Sequence, residues 1–139
     1  MGNDSVDSGE IRWNDATKWD DARGHAITQW NNLNPINILA DTAFTVADLS
    51  FKDYNLNDGR SGYWISTSGA DEIWFNDFYW NGFNSTQRRA NAVHELGHAL
   101  GLAHSFGDQA MKSCPAVCSP WYTSPQGHDQ QDYHEWWGF

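Results

Sequence analysis

Basic residues are scarce in this sequence: eight Lys and Arg stand against eighteen Asp and Glu, giving a formal charge of −10. A surface of that sign opposes nucleic acid and anionic membranes, whose binding draws on cations that release counterions. Neutral or cationic partners are favoured instead. Long apolar runs are also lacking. No stretch approaches the ~20 residues of a membrane span, and Met1-Gly2-Asn3-Asp4 has neither the basic n-region nor the apolar h-region of a secretory signal. Cysteine is limited to Cys114 and Cys118, in the segment CPAVC. So close a pair permits a small disulfide, and two free thiols fit the count equally well. There is no internal repeat or low-complexity block.

Aromatic residues, by contrast, are plentiful: nine Trp, seven Phe and five Tyr, spread from Trp13 to Phe139. With 40% hydrophobic residues in 139, the chain has material for one core and is expected to form a single domain over 1–139, with only residues 1–8 loose. From Thr17 to Leu33, the residues Trp19, Ala22, Ala26, Ile27, Trp30 and Leu33 recur at three- and four-residue steps, which predicts an early amphipathic helix. Asp15 or Thr17 is placed to cap it, and Pro35 forbids its continuation past Asn34.

Extended segments are predicted at Ile36 to Ala40, Thr45 to Phe51, Gly62 to Ser66 and Glu72 to Phe78, separated by turn-rich pieces such as Asn55-Leu56-Asn57-Asp58-Gly59. Ile11 to Trp13 would bring the sheet to about five strands. Asn84 with Gln87 forms a capping-box pattern for a second helix, striped by Ala90, Val93, Leu96, Ala99 and Leu100 and stopping at Gly101. After a loop-rich segment from Ser105 to Gly127, a short helix from about Asp129 to Trp137 is ended by Gly138. The class expected is α+β, a twisted sheet combined with segregated helices.

The segment His94-Glu95-Leu96-Gly97-His98-Ala99-Leu100-Gly101-Leu102-Ala103-His104 carries the chemistry. On a helix, His94 and His98 fall at i and i+4, so both imidazoles reach one metal ion. Glu95 directly follows the first ligand, the position of a general base toward a water at the metal's open position. Gly101 can adopt the left-handed conformation that ends a helix and turns the chain, letting His104 approach the same ion. Three imidazoles and an open fourth position describe a catalytic zinc centre; a structural one would be closed by a fourth protein ligand.

HELGHALGLAH followed by Met111 resembles the extended zinc signature and Met-turn of the metzincins, the matrixins in particular. The early helix, the strand block before the motif and the C-terminal helix ending in Trp136-Trp137-Gly138 resemble a matrixin catalytic domain more loosely. The resemblance implies a metzincin-type fold, zinc held by His94, His98 and His104, Glu95 as acid/base residue, and Met111 lying beneath the metal. Asp129 aligns with an aspartate that supports the Met-turn; a solvated helix cap is its other reading. Matrixins usually follow that methionine with Tyr-Pro, whereas Lys112-Ser113 stand here.

The resemblance further implies a monomeric zinc endopeptidase acting on protein or peptide substrates in an extracellular setting. Structural Ca²⁺, which some members carry, would have candidate positions at Asn55, Asn57, Asp58 and at Asp71-Glu72, although neither matches a twelve-residue calcium loop. An extended substrate would pair with an edge strand, for which Glu72 to Phe78 is the choice. Trp121 and Tyr122, after Pro120, would wall the pocket beyond the zinc and favour a large apolar residue after the scissile bond. His128 and His134 do not share a helical face and are read as surface or supporting residues.

Overall fold

The computed structural model describes residues 4–113 and 119–139. The chain runs β1 (Glu10–Ala16), α1 (Asp20–Asn31), β2 (Asn37–Ala40), β3 (Leu49–Tyr54), β4 (Gly62–Ile65), β5 (Asp71–Asn76), α2 (Asp77–Trp80), α3 (Ser85–Ala99) and α4 (Gly127–Trp137). Five strands form one sheet in the order β2-β1-β3-β5-β4, an α+β arrangement of the expected class. All neighbours are parallel except β4, which lies antiparallel against β5.

Alternation along the strands sends Ile11, Ile38, Leu49, Phe51, Ile73 and Phe75 to one face, where each is at most 2% exposed. Against that face lie Ala22, Ala26 and Trp30 of α1 and Ala92, Val93, Leu96 and Ala99 of α3. Each large apolar side chain so buried contributes about 1.5–3 kcal/mol. Small residues on the helices let them approach closely, and the Trp30 indole N–H donates to the Val93 carbonyl at 2.9 Å, joining α1 to α3.

Several expectations are corrected. Glu72 to Phe78 is not the edge: β5 pairs with β3 on one side and β4 on the other, and β4 is the border strand. Its last two residues, Asp77 and Phe78, belong to α2, which begins where Asn76 accepts from the Phe78 N–H. The strand expected from Thr45 starts only at Leu49. Upstream, the Thr42 and Thr45 side chains take local backbone and side-chain bonds that compete with a ladder. Likewise α1 starts at Asp20 because β1 continues to Ala16 and the Thr17 hydroxyl is committed to Asp53 at 2.5 Å and to the Trp19 N–H at 3.1 Å.

The amino-terminal residues expected to be loose include Ser5, which is 5% exposed. Its N–H donates to the Ala99 carbonyl at 2.7 Å, and its hydroxyl links Asp71 and the Trp64 indole. It therefore satisfies a carbonyl at the end of α3 that would otherwise lack a partner. The expectation for Cys114 and Cys118 lies outside the described residues.

Candidate active site

Helix α3 presents the histidines, and both its ends are fixed by named bonds. At its start, the Asn84 side chain accepts from the Gln87 N–H and the Gln87 side chain from the Asn84 N–H, each at 2.9 Å, completing the capping box. At its end, the Gly101 N–H donates to the His98 carbonyl and the Leu102 N–H to the Gly97 carbonyl. This is the double bond pattern of a Schellman cap, with Gly101 at φ +88°. Ser5 takes the Ala99 carbonyl and the Trp137 indole the Leu100 carbonyl. The chain thus leaves α3 at a fixed angle, which returns His104 toward the helix.

The three histidines converge, with ligand nitrogens all within 4.8 Å of one another. His94 Nδ1 lies 2.9 Å from the Ala110 carbonyl and His98 Nδ1 2.9 Å from the Leu102 carbonyl. A carbonyl oxygen can only accept, so each Nδ1 carries the proton and each Nε2 presents a lone pair. Those two Nε2 atoms face each other at 3.1 Å. Two bare lone pairs at that separation repel unless a cation lies between or beside them. With Zn–N bonds of about 2.0–2.1 Å, tetrahedral geometry sets ligand nitrogens about 3.3 Å apart. The donor set therefore fits zinc, and the carbonyl partners are the supporting shell that ligating imidazoles need.

Burial keeps the rings of His94 and His98 neutral, as ligands must be. Desolvation, reinforced by His98, pushes the His94 pKa down to about 3. Desolvation also lowers that of His98. Glu95 is 5% exposed, and burial raises its pKa to about 8, only partly offset by the positive charge of Arg60. A carboxyl tuned to that range can exchange a proton near neutral pH.

Border strand β4 passes beside this carboxyl at Gly62. A Cβ there would stand 2.7 Å from the Trp74 carbonyl oxygen, so only glycine keeps the ladder undisturbed, and 3.7 Å from Glu95 Oε2, an ordinary contact distance.

Met111 is fully buried. A Cβ on Gly97 would come within 2.3 Å of its sulfur and 3.1 Å of Trp30 Cζ2, so the glycine between His94 and His98 is where the methionine packs against α3. The turn holding Met111 is anchored by Asp129, 1% exposed. Its carboxylate accepts from the N–H groups of Ala110, Met111 and Gln126 at 2.7, 3.2 and 2.8 Å. Asp129 is thus not a solvated cap: it closes the start of α4 and holds the methionine turn with the same two oxygens. Desolvation still raises its pKa above the usual carboxylate range.

Tyr122 packs against the core cluster, and the preceding Trp121 is half-buried. The signal for their link to the methionine turn is Lys112, which a sequence reading marks only as a departure from Tyr-Pro. Its ammonium donates to the Pro120 carbonyl and lies 5.3 Å from the Tyr122 ring centroid.

His128 and His134 stand away from the cluster: His128 meets Ser105 and Asp132, while His134 meets the Gly138 carbonyl. Four of the five residues considered for calcium, Asn57, Asp58, Asp71 and Glu72, have oxygens that serve bonds within the chain. Asp58 accepts from Tyr54, Arg60 and Asn76, Asn57 from Tyr79, Asp71 from Ser5 and Thr67, and Glu72 from Lys52 and Trp74. Among the described residues no helix is long and apolar enough to cross a membrane.

Comparison with known proteins bears on the same elements. A family model described as matrixin matches residues 3–132. Macrophage metalloelastase from Oryctolagus cuniculus is 31% identical over 104 residues, covering 62% of this chain and 21% of that protein. The chain therefore spans about a fifth of the length of this curated relative. The family match takes in the sheet, α3, the three converging histidines, the methionine turn and the start of α4, and on that basis the chain belongs to the matrixins.

Proposed function

We propose that this domain is a zinc-dependent endopeptidase in which His94, His98 and His104 hold the metal and Glu95 is the acid/base residue. The observation that carries the proposal is the facing pair of Nε2 lone pairs at 3.1 Å, each fixed by an Nδ1–H bonded to a backbone carbonyl. When bound, zinc supplies a Lewis acid that polarises the scissile carbonyl and makes a nearby water easier to deprotonate.

The remaining work falls to the chain's own side chains. Glu95 takes the proton of the attacking water on a carboxylate oxygen, keeps it in a site shielded from solvent, and returns it to the leaving amine. Met111, buried under the histidine-bearing turn of α3, keeps the ligand rings from shifting, and Asp129 keeps Met111 in place. An extended peptide would pair with β4, the border strand that runs past Glu95 at Gly62. Beyond the metal, Trp121 and Tyr122 would wall a pocket that favours a large apolar side chain after the scissile bond. Action in an extracellular space belongs to the same proposal and rests on family membership.

Cleavage of an unfolded protein substrate tests this reading. The purified chain should cut it, lose activity when a chelator strips the metal, and regain it when zinc is restored. Activity that persists with no zinc bound would remove the metal from the account.

A further inference from the structure

The segment 119–125 between the methionine turn and α4 lies outside the named helices and strands, so its carbonyls are left for side chains or water. Four side chains from outside the segment reach four of them. Gln126 donates to the Ser124 carbonyl at 2.8 Å and Gln130 to that of Pro125 at 2.9 Å, both from the start of α4. His25 of α1 lies 2.5 Å from the Thr123 carbonyl. Lys112, one residue past Met111, donates to the Pro120 carbonyl. The first three bind the segment to α1 and to the start of α4. Lys112 alone among the four sits on the turn that carries Met111.

Lysine is an unusual choice there, being only 6% exposed. Its burial is compensated by the Pro120 oxygen and by the face of Tyr122, 5.3 Å from the ammonium. An ammonium engaged in this way draws Pro120 and Tyr122 toward the turn that carries Met111.

We propose that Lys112 is a positioning residue for substrate selection: it ties the Pro120–Tyr122 wall to the methionine turn, and so fixes the distance between that wall and the reacting centre. The inference rests on the peptidase reading above and on Trp121 and Tyr122 lining the pocket. In this proposal Lys112 acts through the wall and not on the substrate, since among the described residues its ammonium meets the Pro120 carbonyl and the Tyr122 ring. Selection for a large apolar residue then depends on a cation that the substrate never touches.

The test compares zinc-loaded wild type with Lys112→Met, which keeps length and apolar stem, and Lys112→Arg, which keeps the cation. Peptides with Leu, Ala or Glu after the scissile bond are cleaved, and amide hydrogen exchange is followed over residues 119–125. Lys112→Met should exchange faster in that segment only. It should lose about tenfold in preference for Leu over Ala, the scale of a few missing pocket contacts. That loss should enter through KM, with kcat within about twofold and zinc content unchanged. Lys112→Arg should restore both readouts in large part.

Unchanged exchange in Lys112→Met would overturn the tie, whatever the kinetics. Faster exchange with an unchanged Leu to Ala ratio would overturn its role in selection. A wild-type preference for Glu that Lys112→Met abolishes would show the ammonium reading substrate charge directly, which also contradicts the proposal. Failure of wild type to cleave any peptide would strike at the peptidase reading, and selection by Lys112 would fall with it; exchange would still decide whether the tie exists.

Discussion

In the metal-free fold the Glu95 carboxyl is buried and its pKa stands at about 8, against an ordinary value of 4.5. Between those two values the folded chain keeps a proton that the unfolded chain releases. Glu95 therefore costs nothing below about pH 4.5, and stability falls as pH rises toward 8. At pH 7 the gap from the ordinary value is about 2.5 pH units, which at 1.36 kcal/mol each is a destabilisation of about 3 kcal/mol.

Glutamine has nearly the same shape and no proton to lose. Metal-free Glu95→Gln is therefore expected to be about 3 kcal/mol more stable than metal-free wild type at pH 7, while the two differ by less than about 0.5 kcal/mol at pH 4.5. Urea unfolding of both chelated proteins at the two pH values measures this, since a shift in midpoint without a change in slope reports stability alone. Zinc loading should shrink the difference at pH 7, because a nearby dication favours the carboxylate. Equal stability of the two metal-free proteins at pH 7, or a more stable wild type, would refute the placement of Glu95 as a buried carboxyl without compensation.

Two further substitutions probe the support beneath the site. Asp129→Ala removes the acceptor for three N–H groups, two of them in the methionine turn; a loss of about 3 kcal/mol or more is expected in urea unfolding, and a loss below about 1 would contradict the anchoring role. Gly97→Ala would put a methyl 2.3 Å from the Met111 sulfur. It should cost about 1–3 kcal/mol and weaken zinc retention in a competition with chelator, whereas unaltered retention would show that Met111 can move without disturbing the ligands.

The histidine site was legible because its chemistry is local: i, i+4 spacing, a glycine that turns the chain and a third histidine all sit within one short segment. The capping box at Asn84 and Gln87 was legible for the same reason. The border strand was not. Alternating aromatics in Glu72 to Phe78 describe a half-buried strand equally well at an edge or inside, and only pairing with both β3 and β4 settles it. Ser5 escaped because its partner, the Ala99 carbonyl, is a backbone group far along the chain, and Asp129 could be placed under the methionine turn only through the family resemblance, because its partners there are the backbone N–H groups of Ala110 and Met111. Side-chain type carries no mark of such bonds. Lys112 stood out in the sequence as a departure, but its partner is again a carbonyl, so the departure had no visible purpose.

The most direct measurement compares cleavage of an unfolded protein by zinc-loaded wild type and by zinc-loaded Glu95→Ala, with bound zinc counted in each. Hydrolysis based on Glu95 beside a three-histidine zinc site predicts one zinc per chain in both and activity in wild type alone. Activity that survives the substitution with zinc in place would contradict it.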